Sequence, residues 1–185
     1  MVVEELHFSN DPDANKRLGF DSFALMIGML LDQQVAIEWA FQAPHSLAKR
    51  MGLPDDEPFS VDDVASMPEE QLIDYFVAKP ALHRYPAAMA SRVSRLAAAV
   101  AAEYGSDPSR IWSEAETGRD LLKRLKALPG FGDKKARIFV GVIGKRLGAA
   151  PPGWEAVAAP WGTVADADAP GSVAEIRRIR SLPSD

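Results

Sequence analysis

The sequence contains no cysteine among its 185 residues. This excludes disulfide bonds, thiolate zinc sites and cysteine-ligated iron–sulfur clusters, and it is typical of proteins from a reducing compartment. The three histidines, His7, His45 and His83, lie far apart in the sequence and show no metal-ligand spacing. We therefore expect no metal held by side chains and no cofactor, and we expect a cytoplasmic location.

Long hydrophobic runs are also missing. The longest apolar run, residues 23–31, is too short to span a bilayer. The first five residues, MVVEE, lack the basic start and the apolar core of a secretory signal peptide. We expect no membrane partner. With 47% hydrophobic and 25% charged side chains, the composition is that of a globular domain with its own core.

Helical periodicity dominates the chain. Apolar residues recur at helical spacing in several separate segments, and hardly any stretch alternates as a strand does, so the sequence predicts an all-α fold. Residues 23–31 are apolar on every side and predict a buried central helix, capped by Asp21 or Ser22. Pro44 is expected to interrupt the helix that follows. We expect a helical domain over residues 1–148. Residues 149–185 are expected to form a Pro/Ala-rich segment and a short C-terminal helix.

The charge is distributed unevenly along the chain. The net charge is −5, but residues 119–146 carry nine basic and two acidic side chains, while residues 1–75 carry four basic and fifteen acidic ones. A basic patch on an acidic body is able to bind a phosphate backbone, and the acidic remainder limits non-specific binding. The alternative interpretation of the same patch is a solvated helix face.

The basic region contains a glycine-rich turn, residues 127–132, which we call the hairpin turn. A helix with Leu121 and Leu125 on its apolar face precedes it, and Pro129 is expected to end that helix. Gly130 and Gly132 permit positive φ and leave the backbone uncovered. Asp133 is the expected N-cap of the next helix.

Free N–H groups of such a turn, together with Lys134 and Lys135 at the start of the second helix, suit an anion such as phosphate. The alternative is a turn that only joins two packed helices.

Two separated parts of the sequence resemble the helix-hairpin-helix (HhH-GPD) DNA glycosylase superfamily, and most of all its cysteine-free alkyladenine-type branch. One part comprises residues 27–35, IGMLLDQQV, and residues 47–52, LAKRMG; the other is the hairpin, residues 128–136, LPGFGDKKA. The resemblance covers the chain from residue 10 to residue 150. It implies a two-lobed helical fold with a DNA-binding cleft between the lobes.

The resemblance also implies roles for individual residues. The hairpin would bind the backbone of double-stranded DNA through Leu128, Gly130, Phe131, Gly132, Lys134 and Lys135. A monovalent cation would lie at the hairpin carbonyl groups of Leu128 and Gly130. Gln33 or Gln34 matches the residue with which the family probes the gap left by an extruded base, because a base must leave the stack before an enzyme acts on it. A monomer that associates with the nucleoid when DNA-bound is expected.

The sequence departs from the family at the catalytic position. The family's essential aspartate lies about eighteen residues after the position of Lys134, where it stabilises positive charge on the sugar or activates water. Pro152 stands there in this chain. The candidates for the catalytic group are Glu155, which is nearest, Asp32, beside the glutamines, and Lys134, which matches the Schiff-base lysine of bifunctional members. The alternative role of Lys134 is a phosphate contact.

Three functions remain open from the sequence. The first is a DNA N-glycosylase of base excision repair, a hydrolase that removes a damaged base. The second is a DNA-binding module on the same fold without catalysis. The third is a helical protein that uses this scaffold to bind protein, because a fold by itself does not define a function.

Overall fold

The computed structural model of the chain describes residues 3–180 and consists of α-helices joined by short connections. No strand occurs within that range, so the prediction of an all-α fold is confirmed. Residues 1, 2 and 181–185, which the expected domain ranges include, lie outside the described residues. The helices are α1 (Pro12–Phe20), α2 (Ser22–Leu31), α3 (Ile37–Arg50), α4 (Val61–Ser66), α5 (Glu69–Val77), α6 (Pro86–Tyr104), α7 (Arg110–Ser113), α8 (Gly118–Lys126), α9 (Asp133–Lys145) and α10 (Ser172–Arg180).

The central helix of the fold is α2. Residues 23–31 are all buried, as their uniformly apolar character predicts. Asp21 is the N-cap: its carboxylate accepts the N–H groups of Phe23 and Ala24 and also pairs with Arg17, 3.2 Å away. Burial raises the pKa of Asp21, while its backbone and Arg17 contacts act in the opposite direction. Both charged groups are fully buried, so each requires the other to remain in the core.

Several of the other helices contact α2 directly. Helix α3 crosses α2 so closely that a Cβ at Gly28 would lie 2.5 Å from the Phe41 ring. Helix α6 packs against α4 and α5 and contacts α2, with the apolar stripe Met89, Val93 and Leu96 buried. Helix α9 also contacts α2 and forms a pair with α8 around the hairpin turn.

The helix after the central one is longer than the sequence predicts. The expectation that Pro44 interrupts it is wrong, because α3 runs without a break from Ile37 to Arg50 with Pro44 inside it. Proline removes one helical hydrogen bond and crowds the preceding turn. Burial of Ala40, Phe41, Leu47 and Ala48 on both sides of the proline holds the helix together despite that loss.

The Pro/Ala-rich segment, residues 149–172, lies against α8 and α9. It contains two short 3-10 turns, Trp154–Ala156 and Val164–Asp166, and it buries Val157 and Val164. A Cβ at Gly144 of α9 would lie 2.5 Å from the Trp154 ring, so this tryptophan covers the end of α9. The segment is therefore packed against the helices rather than extended into solvent.

None of the helices within residues 3–180 combines the length and the apolar character that a membrane span requires.

Candidate functional site

The hairpin turn joins α8 to α9 as the sequence predicts. Lys126 ends α8, and the chain then turns through Gly130 at φ 83°. The N–H of Phe131 donates to the carbonyl of Leu128 at 3.2 Å, and both side chains are buried. Phe131 packs against Phe139 of α9 with ring centroids 5.9 Å apart. These apolar contacts fix the turn and leave Gly130 and Gly132 at the surface.

The start of α9 differs from the prediction. Gly132, at φ −69°, is the N-cap and has no capping side chain; Asp133 is the first helical residue, so its predicted role as N-cap is wrong. The Asp133 carboxylate instead pairs with Arg137 at 2.8 Å and with Lys126 at 3.0 Å. Hydrogen bonds from these two side chains lower the pKa of Asp133. The carboxylate therefore ties the two helices together and leaves the helix start uncapped.

The uncapped start of α9 exposes hydrogen-bond donors. The N–H of Ala136 donates to the carbonyl of Gly132 at 2.9 Å. The N–H groups of residues 132–135, which precede it, have no acceptor within residues 3–180. Lys134 is exposed, and it forms no ion pair with any residue of the described range 3–180. Partial positive charge at a helix start and a neighbouring ammonium group together favour an anion.

The second lysine of the turn behaves differently. Lys135 is half-buried, and its Nζ donates to the carbonyl of Leu30 at 2.7 Å. Burial lowers the pKa of Lys135 from 10.5 to about 8; the charge of Asp32 opposes this shift and that of Arg92 adds to it. The sequence predicts equal roles for Lys134 and Lys135, but the structure commits Lys135 to the end of α2.

The turn also packs directly on the end of α2. A Cβ at Gly130 would lie 2.3 Å from Cδ1 of Leu30, and the positive φ at this position already disfavours any other residue. A Cβ at Gly132 would meet nothing within 4 Å. Gly130 is thus required by the fold, whereas Gly132 leaves open space beside the free N–H groups.

A short loop, residues 32–36, which we call the glutamine loop, connects α2 to α3. Its first step is tight: Asp32 has φ −70° and ψ 69°, and the N–H of Gln33 donates to the carbonyl of Leu31 at 2.7 Å. Gln34 is exposed and adopts a left-handed conformation with φ 59°. This conformation is uncommon for residues other than glycine, and such strain occurs often at functional sites.

His83 forms hydrogen bonds with the backbone at the start of the glutamine loop. Its Nε2 lies 3.0 Å from the carbonyl oxygen of Leu31 and 3.1 Å from that of Gln33, and its Nδ1 accepts the N–H of Tyr85 at 3.0 Å. Because Nδ1 is an acceptor, the ring is neutral and its hydrogen is on Nε2. Burial lowers the pKa of His83, which the two backbone hydrogen bonds oppose.

The glutamine loop and the hairpin turn enclose a cavity of about 530 Å³, which we call the glutamine cavity. Its polar lining comes from Asp32, Gln33, Gln34, Asp133, Lys134 and Lys135, and its apolar lining from Met29 and Ile138. The structure therefore brings together the predicted probe glutamines, four of the predicted hairpin residues (Gly130, Gly132, Lys134 and Lys135) and two of the three catalytic candidates, Asp32 and Lys134. The two parts of this lining lie about a hundred positions apart in the sequence.

A second cavity adjoins the first at the hairpin turn. It measures about 450 Å³ and is lined by Arg92, Arg95 and residues 128–132; we call it the arginine cavity. The Nη1 of Arg92 donates to Oε1 of Gln33 at 3.1 Å. Neither arginine is among the site residues predicted from the sequence. Their spacing of three residues on an otherwise alanine-rich helix, off the apolar stripe, is the signal that could have indicated them.

Glu155 and the nearby tryptophans lie elsewhere. Glu155 is exposed on the 3-10 turn Trp154–Ala156, beside the first residue of α8 and the last turn of α9, so it is at the end of this helix pair remote from the hairpin turn. It lines neither the glutamine cavity nor the arginine cavity. Trp154 covers Gly144, and Trp161 is exposed outside both cavities.

Metal-binding side chains are not grouped in the described part of the chain. No cluster of three or more histidine, aspartate or glutamate side chains is suited to hold a metal ion there, and the absence of cysteine excludes a cysteine-ligated iron–sulfur cluster. The carbonyl of Leu128 accepts the N–H of Phe131. A monovalent cation at the carbonyl groups of Leu128 and Gly130 stays a prediction.

Neither a comparison with models of protein families nor a search of curated protein sequences finds a match to this chain.

The two glycines of the hairpin turn offer a matched test. Gly130→Ala places a methyl group against Leu30 at a positive φ, so we expect a loss of about 1–3 kcal/mol in the free energy of unfolding. Gly132→Ala places the same group in open space and should cost less than about 0.5 kcal/mol. Urea denaturation of both variants measures the difference. Equal losses in the two variants would contradict this account of the turn.

The buried histidines predict the direction of the pH dependence of stability. Burial lowers the pKa of both His83 and His45, so the folded state binds fewer protons than the unfolded state. Their contribution to the free energy of unfolding is present above pH 6.5 and is lost as the pH falls toward 5, at up to about 1.4 kcal/mol per pH unit for each histidine. The lowered carboxylate pKa values act only at lower pH, because Asp133 and Glu175 start from 3.8 and 4.5.

Urea denaturation at intervals between pH 7.5 and 5 tests this expectation. His83→Gln and His45→Gln should each reduce the slope, since each removes one of the two titrating rings. The raised pKa of Asp21 acts in the opposite direction and is common to the parent and both variants. A slope that neither substitution changes would contradict the prediction.

Proposed function

We propose that this chain is a DNA-binding protein of the base excision repair type, on a two-lobed helix-hairpin-helix fold, and that it acts as a DNA N-glycosylase. The observation that carries the proposal is the position of the hairpin turn. Its unpaired N–H groups and Lys134 face the same cavity as Gln33, Gln34 and Asp32. Donors for a backbone phosphate thus lie next to a space in which a single base would fit.

The hairpin turn is the proposed contact to the DNA backbone. Backbone N–H groups at a helix start and lysine side chains are typical phosphate ligands, and such contacts fix the position of a protein on the duplex. The basic residues of 119–146 supply the surrounding positive potential. Lys134 is the proposed direct contact. Lys135 instead connects the hairpin turn to the end of α2 through its hydrogen bond to the carbonyl of Leu30.

The glutamine cavity is the proposed site of an extruded base. Its volume of about 530 Å³ lies in the range of small-molecule sites. Amide groups of Gln33 and Gln34 offer both donors and acceptors, and Ile138 and Met29 offer apolar contact. The strained backbone of Gln34 holds that side chain at the mouth of the cavity, where the gap in the duplex would be.

Asp32 is the proposed catalytic carboxylate. It is the catalytic candidate that combines a carboxylate with a place in the cavity lining. During cleavage of the glycosidic bond it would stabilise the positive charge that develops on the sugar, or accept a proton from the attacking water. The electrons of the broken C–N bond leave with the base, and water supplies the hydroxyl group that replaces the base on the sugar.

A non-catalytic DNA-binding module is the second candidate. It is favoured by one observation: the position of the family's essential aspartate is Pro152, and residues 149–172 form short 3-10 turns where the family resemblance predicts a helix. The third candidate, a protein-binding scaffold, predicts no affinity for DNA at all.

DNA binding is tested with a fluorescently labelled duplex by anisotropy between 50 and 200 mM salt. Lys134→Gln should weaken binding and reduce the slope of log Kobs against log salt by about 0.9, the value for one lost phosphate contact. Lys49→Gln, which removes an exposed lysine of α3 outside both cavities, is the matched control. No measurable binding by the parent protein would overturn the proposal and favour the protein-binding scaffold.

Catalysis is tested with duplexes that contain uracil, hypoxanthine, alkylated or oxidised bases, followed by hot-alkali cleavage at abasic sites. If Asp32 acts as proposed, Asp32→Asn should reduce the rate by about 10²–10⁴-fold. Glu155→Gln removes a carboxylate outside the cavity and should retain activity.

If Glu155→Gln lost the activity and Asp32→Asn retained it, the assignment of Asp32 as the catalytic carboxylate would be overturned. Binding by the parent protein without cleavage of any substrate would overturn the glycosylase proposal in favour of the non-catalytic module.

A further inference from the structure

The arginine cavity has a lining suited to an anion. Two guanidinium groups, those of Arg92 and Arg95, face the backbone of the hairpin turn, and no carboxylate is among the lining residues. The cavity shares Gly130 and Gly132 with the glutamine cavity, so the two cavities adjoin at the hairpin turn. Lys134 and Lys135 line only the glutamine cavity.

The two arginines lie on one face of α6. They are three residues apart, which is one helical turn, and the buried stripe of α6 faces away from them. Arg95 is exposed and, within residues 3–180, forms neither a hydrogen bond nor an ion pair. Arg92 is half-buried and donates only to Gln33 in that range. The charge of Arg92 also acts on the nearby Lys135. The two guanidinium groups therefore bring positive charge to a cavity whose lining contains no carboxylate, while Asp32 lines the adjoining glutamine cavity.

The turn side of the cavity supplies hydrogen-bond donors. The N–H of Phe131 is bonded to the carbonyl of Leu128, but those of Gly130 and Gly132 have no acceptor among the described residues. Guanidinium forks opposite unpaired backbone N–H groups match the geometry and the charge of a phosphodiester.

We propose that the arginine cavity is a second backbone-phosphate site, in which Arg92 and Arg95 bind a phosphate of the DNA whose neighbouring phosphate contacts Lys134, and in which Arg92 connects that phosphate to Gln33. This inference rests on the proposed binding of DNA. It places one phosphate contact in each of the two adjoining cavities, so that one strand passes over the hairpin turn. Arg92 is a positioning residue for the probe glutamine, since one of its nitrogens holds the Gln33 amide while the others remain for the phosphate.

Salt-dependent DNA binding tests the phosphate site. The double variant Arg92→Gln/Arg95→Gln removes the whole site and should reduce the slope of log Kobs against log salt by about 0.9, the value for one lost phosphate contact, and Arg95→Gln alone should reduce it by part of that. Arg110→Gln removes the same charge from α7, outside both cavities, and is the matched control. Circular dichroism and thermal melting report whether the variants are folded; Arg95 has no protein partner to lose in the described range.

The outcomes separate this inference from the proposed function. If the parent binds DNA and Lys134→Gln lowers the slope, but the arginine variants match the parent, the second phosphate site is overturned while DNA binding stands. If the parent binds no DNA, both fail together. A slope reduction in Arg95→Gln that exceeds the change in Arg110→Gln supports the site.

A separate measurement tests the proposed positioning of Gln33 by Arg92. Affinity is measured for a duplex with a stable abasic-site analogue and for an intact duplex. The ratio of the two affinities reports how strongly the protein prefers DNA with a missing base. Arg92→Gln should lower this ratio severalfold, whereas Arg95→Gln, which does not contact Gln33, should leave it unchanged. Equal ratios in the parent and in both variants would overturn the positioning role of Arg92.

Discussion

A buried helix must find hydrogen-bond donors for its last carbonyl groups, and this requirement organises the candidate site. The end of α2 has no water-exposed turn of its own: Lys135 donates to the carbonyl of Leu30, and His83 to that of Leu31. These donors come from α9 and from the connection before α6. Satisfying one helix end therefore brings the hairpin turn, the glutamine loop and α6 to one place. Both cavities lie between these elements, where they come together at the end of α2.

The same requirement gives two adjacent lysines, Lys134 and Lys135, different roles. Lys135 is drawn to the negative end of the α2 dipole, and the partial burial of its ammonium group is tolerated because a carbonyl and Asp32 are near. Lys134, one position earlier, projects into solvent. Local charge counts do not distinguish the two. The distinction arises from the packing of Gly130 against Leu30, which sets how α9 is rotated relative to α2.

Local features were predictable, whereas contacts across the chain were not. Helix starts at Asp11, Asp21 and Thr117 follow from side chains that bond to N–H groups two or three positions on. The hairpin turn follows from Pro129 and the glycines. The continuation of α3 through Pro44 depends on tertiary burial, and the roles of Arg92 and His83 depend on partners about fifty positions or more away. No local pattern specifies such pairs.

The two walls of the glutamine cavity are held by different forces. On the hairpin side, Leu128 and Phe131 are buried against Phe139 and the end of α2, and apolar packing of this kind depends little on pH or salt. On the loop side, a neutral imidazole bonds the carbonyl groups of Leu31 and Gln33, and one guanidinium group bonds the Gln33 amide. A proton on His83 Nδ1 would face the N–H of Tyr85 and remove that support. The proposed backbone contact thus lies on the wall held by apolar packing, and the proposed probe lies on the wall whose hydrogen bonds depend on one proton and on Arg92. The proposed probing of bases would require such a difference in rigidity between the two walls.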